Sequence, residues 1–214
     1  MPPDQATGLR RRSGQTPCVL HCFSLATTTG ERLGAALHRY GWRVLRIETG
    51  ARHSAPTAAH SLFDGPQQLA RGQLNVLAMA HGDVWLAPGL RMDAAGIAAV
   101  AARYDAVLLD ADFTCDAWVP LPGAENHVII DAPTEVRALQ RAFRLLKTVA
   151  LCQPGSKVSL IGDAFACGRL REAGSRFLDI AFVRKVLCFA EEVEPFAALA
   201  ARMAGEEKGR SARC

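Results

Sequence analysis

The chain has 214 residues, half of them apolar, and a formal charge of +4, which fits one domain with a substantial core and excludes a disordered chain. The positive charge rests on 21 Arg against four Lys (Lys147, Lys157, Lys185 and Lys208), and its one dense cluster, Arg10 to Arg12, is too small for duplex DNA binding as a main task. Seven Cys without a Cys-x-x-Cys pair or a His at zinc spacing point to reduced, mostly buried thiols and no metal site.

In chain order, residues 1–16 precede any plausible element. Residues 17–23, Pro-Cys-Val-Leu-His-Cys-Phe, read as a buried strand with Cys18 and Cys22 on one face. Thr28 to Tyr40 then carries Leu33, Ala36, Leu37 and Tyr40 at helical spacing, closed by Gly41. A second strand follows over 43–47, and 50–66 reads as a long Gly/Pro/His-rich loop. Leu74 to Met79 and Val84 to Leu86 are further strand candidates, and Asp93 to Tyr104 is apolar at helical spacing. Ala106 to Leu109 and His127 to Ile130 are continuous apolar runs of the kind that fill the middle of a parallel sheet.

After Pro133 and Thr134 comes the longest helical segment, Glu135 to Leu151. Val158 to Ile161 predicts a strand, Ala164 to Arg176 a helix, and Ile180 to Val183 a last strand. In the tail, Phe196, Leu199, Ala200 and Met203 form an apolar stripe at helical spacing. Its flanking Glu191, Glu192, Glu194, Glu206 and Glu207 would be repelled by an anionic membrane, so packing on the domain is expected. Strands alternating with helices imply an α/β fold, a doubly wound and mostly parallel sheet flanked by helices. The expected division is an N-terminal segment over 1–16, a single α/β domain over 17–205 and a flexible tail over 206–214.

In such sheets a ligand binds at the carboxyl ends of the strands, so the first strand-to-helix turn, residues 24–30, is the candidate nucleotide site. A phosphate loop needs several glycines to let backbone N–H groups curl round the anion, a Lys for the terminal phosphates and a Ser or Thr for magnesium. Here Ser24, Thr28 and Thr29 supply hydroxyls, but Gly30 is the single glycine and Lys is absent. Arg32, just inside the helix, could meet a phosphate without recreating the backbone cradle.

The order of elements resembles the MinD/ParA family of P-loop ATPases. Leu33 to Tyr40 with residues 41–47 is similar to that family's first helix and second strand, and Glu48 stands where its acidic pair ends that strand. Residues 104–110, Tyr-Asp-Ala-Val-Leu-Leu-Asp, resemble the strand that ends in the acidic residue near magnesium, which places Asp110 there. Residues 83–89 and 131–137 are similar to two further segments of the family. The resemblance implies a P-loop NTPase fold whose degenerate nucleotide site comprises Ser24, Thr28, Thr29, Gly30, Glu48 and Asp110, with ATP and magnesium binding lost.

The first residues carry a second resemblance. Asp4-Gln5-Ala6-Thr7-Gly8-Leu9-Arg10 is similar to the activator segment of the FlhG group within that family, regulators of flagellar number that stimulate the signal-recognition-type GTPase FlhF. It implies that Asp4, Gln5, Ala6, Leu9 and Arg10 act on a partner GTPase, with no intrinsic catalytic residue. A cytoplasmic protein recruited to the cell pole by its partner is expected, with flagellar switch or regulatory proteins and a homodimer compatible with it. Nucleic acid is not expected, and membrane contact is expected to be weak or indirect.

Other readings stay open. Asp4 can cap a short helix after Pro2 and Pro3, Asp110 can be a remnant or a cap, and His21 on a buried strand reads as a satisfied core histidine. An active MinD/ParA-type ATPase with a divergent loop, or a ParA-like accessory protein of cellulose synthesis or secretion, are the alternatives.

Overall fold

A computed structural model describes residues 18–26, 28–49, 76–79, 104–111, 118, 120, 123–190 and 193–211. The segment Asp4 to Arg10, the 50–66 loop, the strand candidate Val84–Leu86 and, but for Tyr104, the helix candidate Asp93 to Tyr104 lie outside the described residues. Among the described residues seven strands form one sheet: β1 (Cys18–Phe23), β2 (Val44–Thr49), β3 (Val76–Met79), β4 (Ala106–Ala111), β5 (Glu125–Ala132), β6 (Lys157–Gly162) and β7 (Leu187–Cys188). Their order is β3-β2-β4-β1-β5-β6-β7, and every pairing is parallel. The chain winds outward from β1 to β2 and β3, returns to β4, and then builds β5, β6 and β7 on the other side. This is the doubly wound α/β arrangement that the alternating elements predict.

Among the described residues five helices accompany the sheet: α1 (Thr29–Arg39), α2 (Val136–Cys152), α3 (Ala164–Phe177), the one-turn α4 (Ile180–Val183) and α5 (Pro195–Ser211). Alternation along β1 divides the core. Leu20 and Cys22 face a cluster with Leu33, Ala36 and Leu37 of α1 and with Phe196, Leu199, Ala200 and Met203 of α5. Phe23 faces the opposite cluster, where Ala142, Leu145, Leu146 and Val149 of α2 meet Ala166, Cys167 and Leu170 of α3. Both faces of β1, β4 and β5 are therefore covered, which is why these strands read as apolar runs rather than alternating ones.

Local chemistry sets the helix ends. Glu135 caps α2 by accepting from the N–H groups of Arg137 (2.9 Å) and Ala138 (2.7 Å), and Asp163 caps α3 through the N–H of Ala166 (2.9 Å). Gly41 ends α1 with φ +82°, a left-handed conformation that suits glycine. The sequence reading of Ile180–Val183 as a strand is corrected: the segment is a helical turn. Asp179 accepts from the N–H groups of Ala181 (2.7 Å) and Phe182 (3.2 Å), and the Val183 N–H closes on the Asp179 carbonyl. A carboxylate that satisfies first-turn donors makes the helical form of this apolar tetrad the better one. The edge strand is instead Leu187–Cys188, paired with Ser159 and Leu160.

The apolar stripe of the tail packs as expected, but the helix that carries it extends past the expected tail boundary at 206. Helix α5 runs to Ser211, and the Lys157 ammonium reaches Glu206 at 2.6 Å and Glu125 at 3.1 Å. Leu199→Ala removes a fully buried side chain between α5, α1 and the sheet. It should destabilise the protein by about 2–5 kcal/mol in urea unfolding, whereas Val193→Ala, 96% exposed, should stay within about 0.5 kcal/mol.

Two buried histidines lie on adjacent strands. The His21 Nε2 is 2.8 Å from Asn126 Oδ1 with the Trp118 ring edge-on at 5.7 Å, and the His127 Nε2 is 2.9 Å from Ser159 Oγ. His21 is thus the satisfied core histidine anticipated from its strand. Burial lowers both from 6.5 to about 4, in His127 with help from the Lys157 charge. Between those values the unfolded chain binds protons that the fold refuses, so stability falls as pH drops through this window. Urea midpoints measured from pH 7 to pH 4 should decline, and His127→Gln should flatten part of the decline.

Candidate functional site

The strand order reverses at β1, between β4 and β5, and the carboxyl ends of these three strands surround the start of α1. Five residues, 24–28, connect β1 to the helix. The Ser24 N–H extends the β1–β4 ladder to the Ala111 carbonyl (3.2 Å), while the buried Ser24 hydroxyl donates to the Ala26 carbonyl (2.7 Å). The Thr29 N–H also turns back to Ala26 (3.4 Å). These bonds make a compact turn whose Ser24 hydroxyl is spent inside the loop. Thr28 is the N-cap residue of α1 and provides no side-chain cap.

Two carboxylates close on the first turn of α1. Asp131, at the end of β5, accepts from the Thr29 hydroxyl at 2.7 Å. Asp110, at the end of β4, lies directly against Gly30, so that any side chain at position 30 would overlap its carboxylate. The positive end of a helix dipole favours negative charge, and here the chain's own acids take that position. Gly162 makes room for Asp131: its φ is +105°, and a Cβ built there would stand 2.7 Å from the Asp131 Oδ1.

Each acid has a cation in its surroundings. The Arg46 Nε, from β2, lies 3.4 Å from the Asp110 Oδ2, with both side chains largely buried. Asp131 is raised above the ordinary carboxylate range by burial, opposed by the Thr29 hydroxyl and by the charge of Arg32. Arg32 is exposed and also has an aromatic neighbour. Its guanidinium stacks 4.4 Å above the centre of the Phe196 ring, coupling α1 to α5.

Of the residues expected at the nucleotide site, Ser24, Thr28, Thr29, Gly30 and Asp110 converge on this turn, and Glu48 stands opposite Asp110 in the β2–β4 register. The partner-directed set Asp4, Gln5, Ala6, Leu9 and Arg10 lies outside the described residues. Sequence reasoning missed Asp131, Arg46 and Gly162 as members of the site. Asp131 carries the same signal as Asp110, an acid at the end of an apolar strand. Arg46 is a charge inside an apolar strand, which demands a buried partner.

No protein-family profile matches the chain, and no curated protein does. Among solved structures, HypB from Helicobacter pylori, crystallised in complex with nickel, is similar in outline. It has 9% sequence identity and a TM-score of 0.42, covering 96% of this chain and 95% of that one. A likeness at this level carries no argument about chemistry, and the fold class rests on the strand order itself.

Thr29→Val would strip the half-buried Asp131 carboxylate of its hydroxyl donor while keeping side-chain shape. The loss should be about 1–3 kcal/mol in urea unfolding at pH 7, and the Asp131 pKa should move further up. The destabilisation should shrink as pH falls toward the range in which Asp131 is protonated.

Proposed function

We propose that the protein is a non-catalytic regulator of flagellar biogenesis whose N-terminal segment binds and stimulates an FlhF-type GTPase, and whose α/β body is a pseudo-ATPase. The observation that carries the second half is the self-engagement of the first turn of α1. Asp110 is paired with Arg46 and pressed on Gly30, while Asp131 holds the Thr29 hydroxyl. A phosphate entering there would meet two carboxylates, a loop with one glycine and no Lys. The residues present do not fit ATP with magnesium.

The first half rests on the resemblance of Asp4 to Arg10 to the FlhG activator segment. GTP hydrolysis needs a positioned water and stabilised charge on the transferring phosphoryl group, and an activator can complete a partner's site from outside. In this reading Gln5 approaches the partner's composite nucleotide site, with Ala6 beside it. Leu9 anchors the segment in an apolar groove, and Asp4 and Arg10 fix its register. The partner would also bring the protein to the cell pole. Among the described residues no helix is long and apolar enough to cross a membrane.

A peptide of about the first twenty residues, ending where β1 begins, should raise GTP turnover by FlhF, and Gln5→Ala in the full chain should abolish the rise. An unchanged rate with Gln5→Ala would overturn the activator assignment. Titration with ATP and magnesium tests the body separately: micromolar affinity or ATP-dependent dimerisation would establish an active ATPase instead.

A further inference from the structure

Two thiols that neither the candidate site nor the N-terminal segment uses come together where α3 covers the sheet edge. Cys167 is fully buried in α3, and its thiol donates to the Ile161 carbonyl of β6 at 3.4 Å. Cys188 is exposed in β7 and stands opposite Leu160 of β6. Alternation fixes the direction in which Cys188 points. Leu187 and Phe189 pack into the cluster under α1 and α5, whereas Leu160 and Ala190 pack into the cluster under α2 and α3, to which Cys167 belongs. Cys188 therefore points to the α3 side, where it is among the groups that act on the Cys167 thiol.

We propose that Cys167 and Cys188 form a reversible disulfide when the protein meets a peroxide, making the α3–β7 junction an oxidation site. The exposed Cys188 reacts first. Its sulfur attacks one peroxide oxygen, the O–O bond breaks, and the products are a sulfenic acid at Cys188 and one water. The Cys167 sulfur then attacks the Cys188 sulfur, the S–O bond breaks, and the leaving hydroxide carries off the Cys167 proton as a second water. Both sulfurs are oxidised by one electron each, and the two peroxide oxygens are reduced.

The order of events follows from the surroundings. Burial, then the charge and hydrogen bond of Cys188, then Asp131 and Asp163 push the Cys167 thiol up to about 12, so it is protonated at neutral pH and shielded from oxidant. A sulfenic acid next to a second thiol is converted to a disulfide before further oxidation. The bond would staple the two-residue edge strand β7 to α3 and enclose α4 in the loop between them. It would form beside Asp131, without depending on any reading of the N-terminal segment.

The test treats the reduced full-length protein with hydrogen peroxide, blocks free thiols with iodoacetamide and digests with trypsin without reductant. The expected product joins residues 158–169 to residues 186–202, lighter by two hydrogens than the separate peptides and released by dithiothreitol. Two of the seven thiols should be lost per chain. Cys188→Ser should leave Cys167 alkylatable after denaturation, while Cys152→Ser, at the other exposed described cysteine, should leave the link intact. Accumulation of sulfinic acid at Cys188 without the linked peptide would overturn the proposal. So would Cys188 joined to Cys152 or to a second chain in its place.

Discussion

Two acids at the ends of the central strands, Asp110 and Asp131, set the terms for this end of the molecule. A carboxylate withdrawn from water needs donors or a cation near it, or it gives up its charge. Asp131 draws on the hydroxyl of Thr29 and the charge of Arg32, and Asp110 on Arg46. These demands fix how α1 approaches the sheet and why position 30 carries no side chain. They also oblige Gly162 to leave space at the end of β6. Arg32, drawn toward Asp131 by charge and toward Phe196 by its flat guanidinium, carries the same constraint outward to α5.

Much of the fold was legible because interior parallel strands announce themselves as continuous apolar runs, and β1, β4, β5 and β6 all do. Helices α1, α2 and α3 were legible by their spacing, to within a residue or two at their ends. Short apolar tetrads were not. Ile180 to Val183 is compatible with strand and helix alike, and a single cap at Asp179 decides between them. The two-residue β7 was invisible, since its strand character comes from Ser159 and Leu160 alongside it and not from its own residues.

The site was legible in part for a different reason. The rule that ligand sites lie where strand order reverses points to the turn after β1, and it located Ser24, Thr28, Thr29, Gly30 and Asp110. It did not locate what neutralises them, because such partners are distant in sequence: Thr29 and Asp131 are 102 residues apart. Sequence places Arg32 just inside the helix but does not show the Phe196 ring beneath it. Charge within a strand, as at Arg46, was the signal that would have exposed the arrangement.

Helix α5 has a consequence for the folding of the protein. It supplies Phe196, Leu199, Ala200 and Met203 to one face of the sheet, and through Glu206 it engages Lys157 at the start of β6. Until α5 is in place, Leu20, Cys22, Leu108 and Ile129 belong to a face that, among the described helices, α1 alone covers. A chain in which α5 has not yet docked thus carries an open apolar surface. Aggregation is the characteristic hazard of that state.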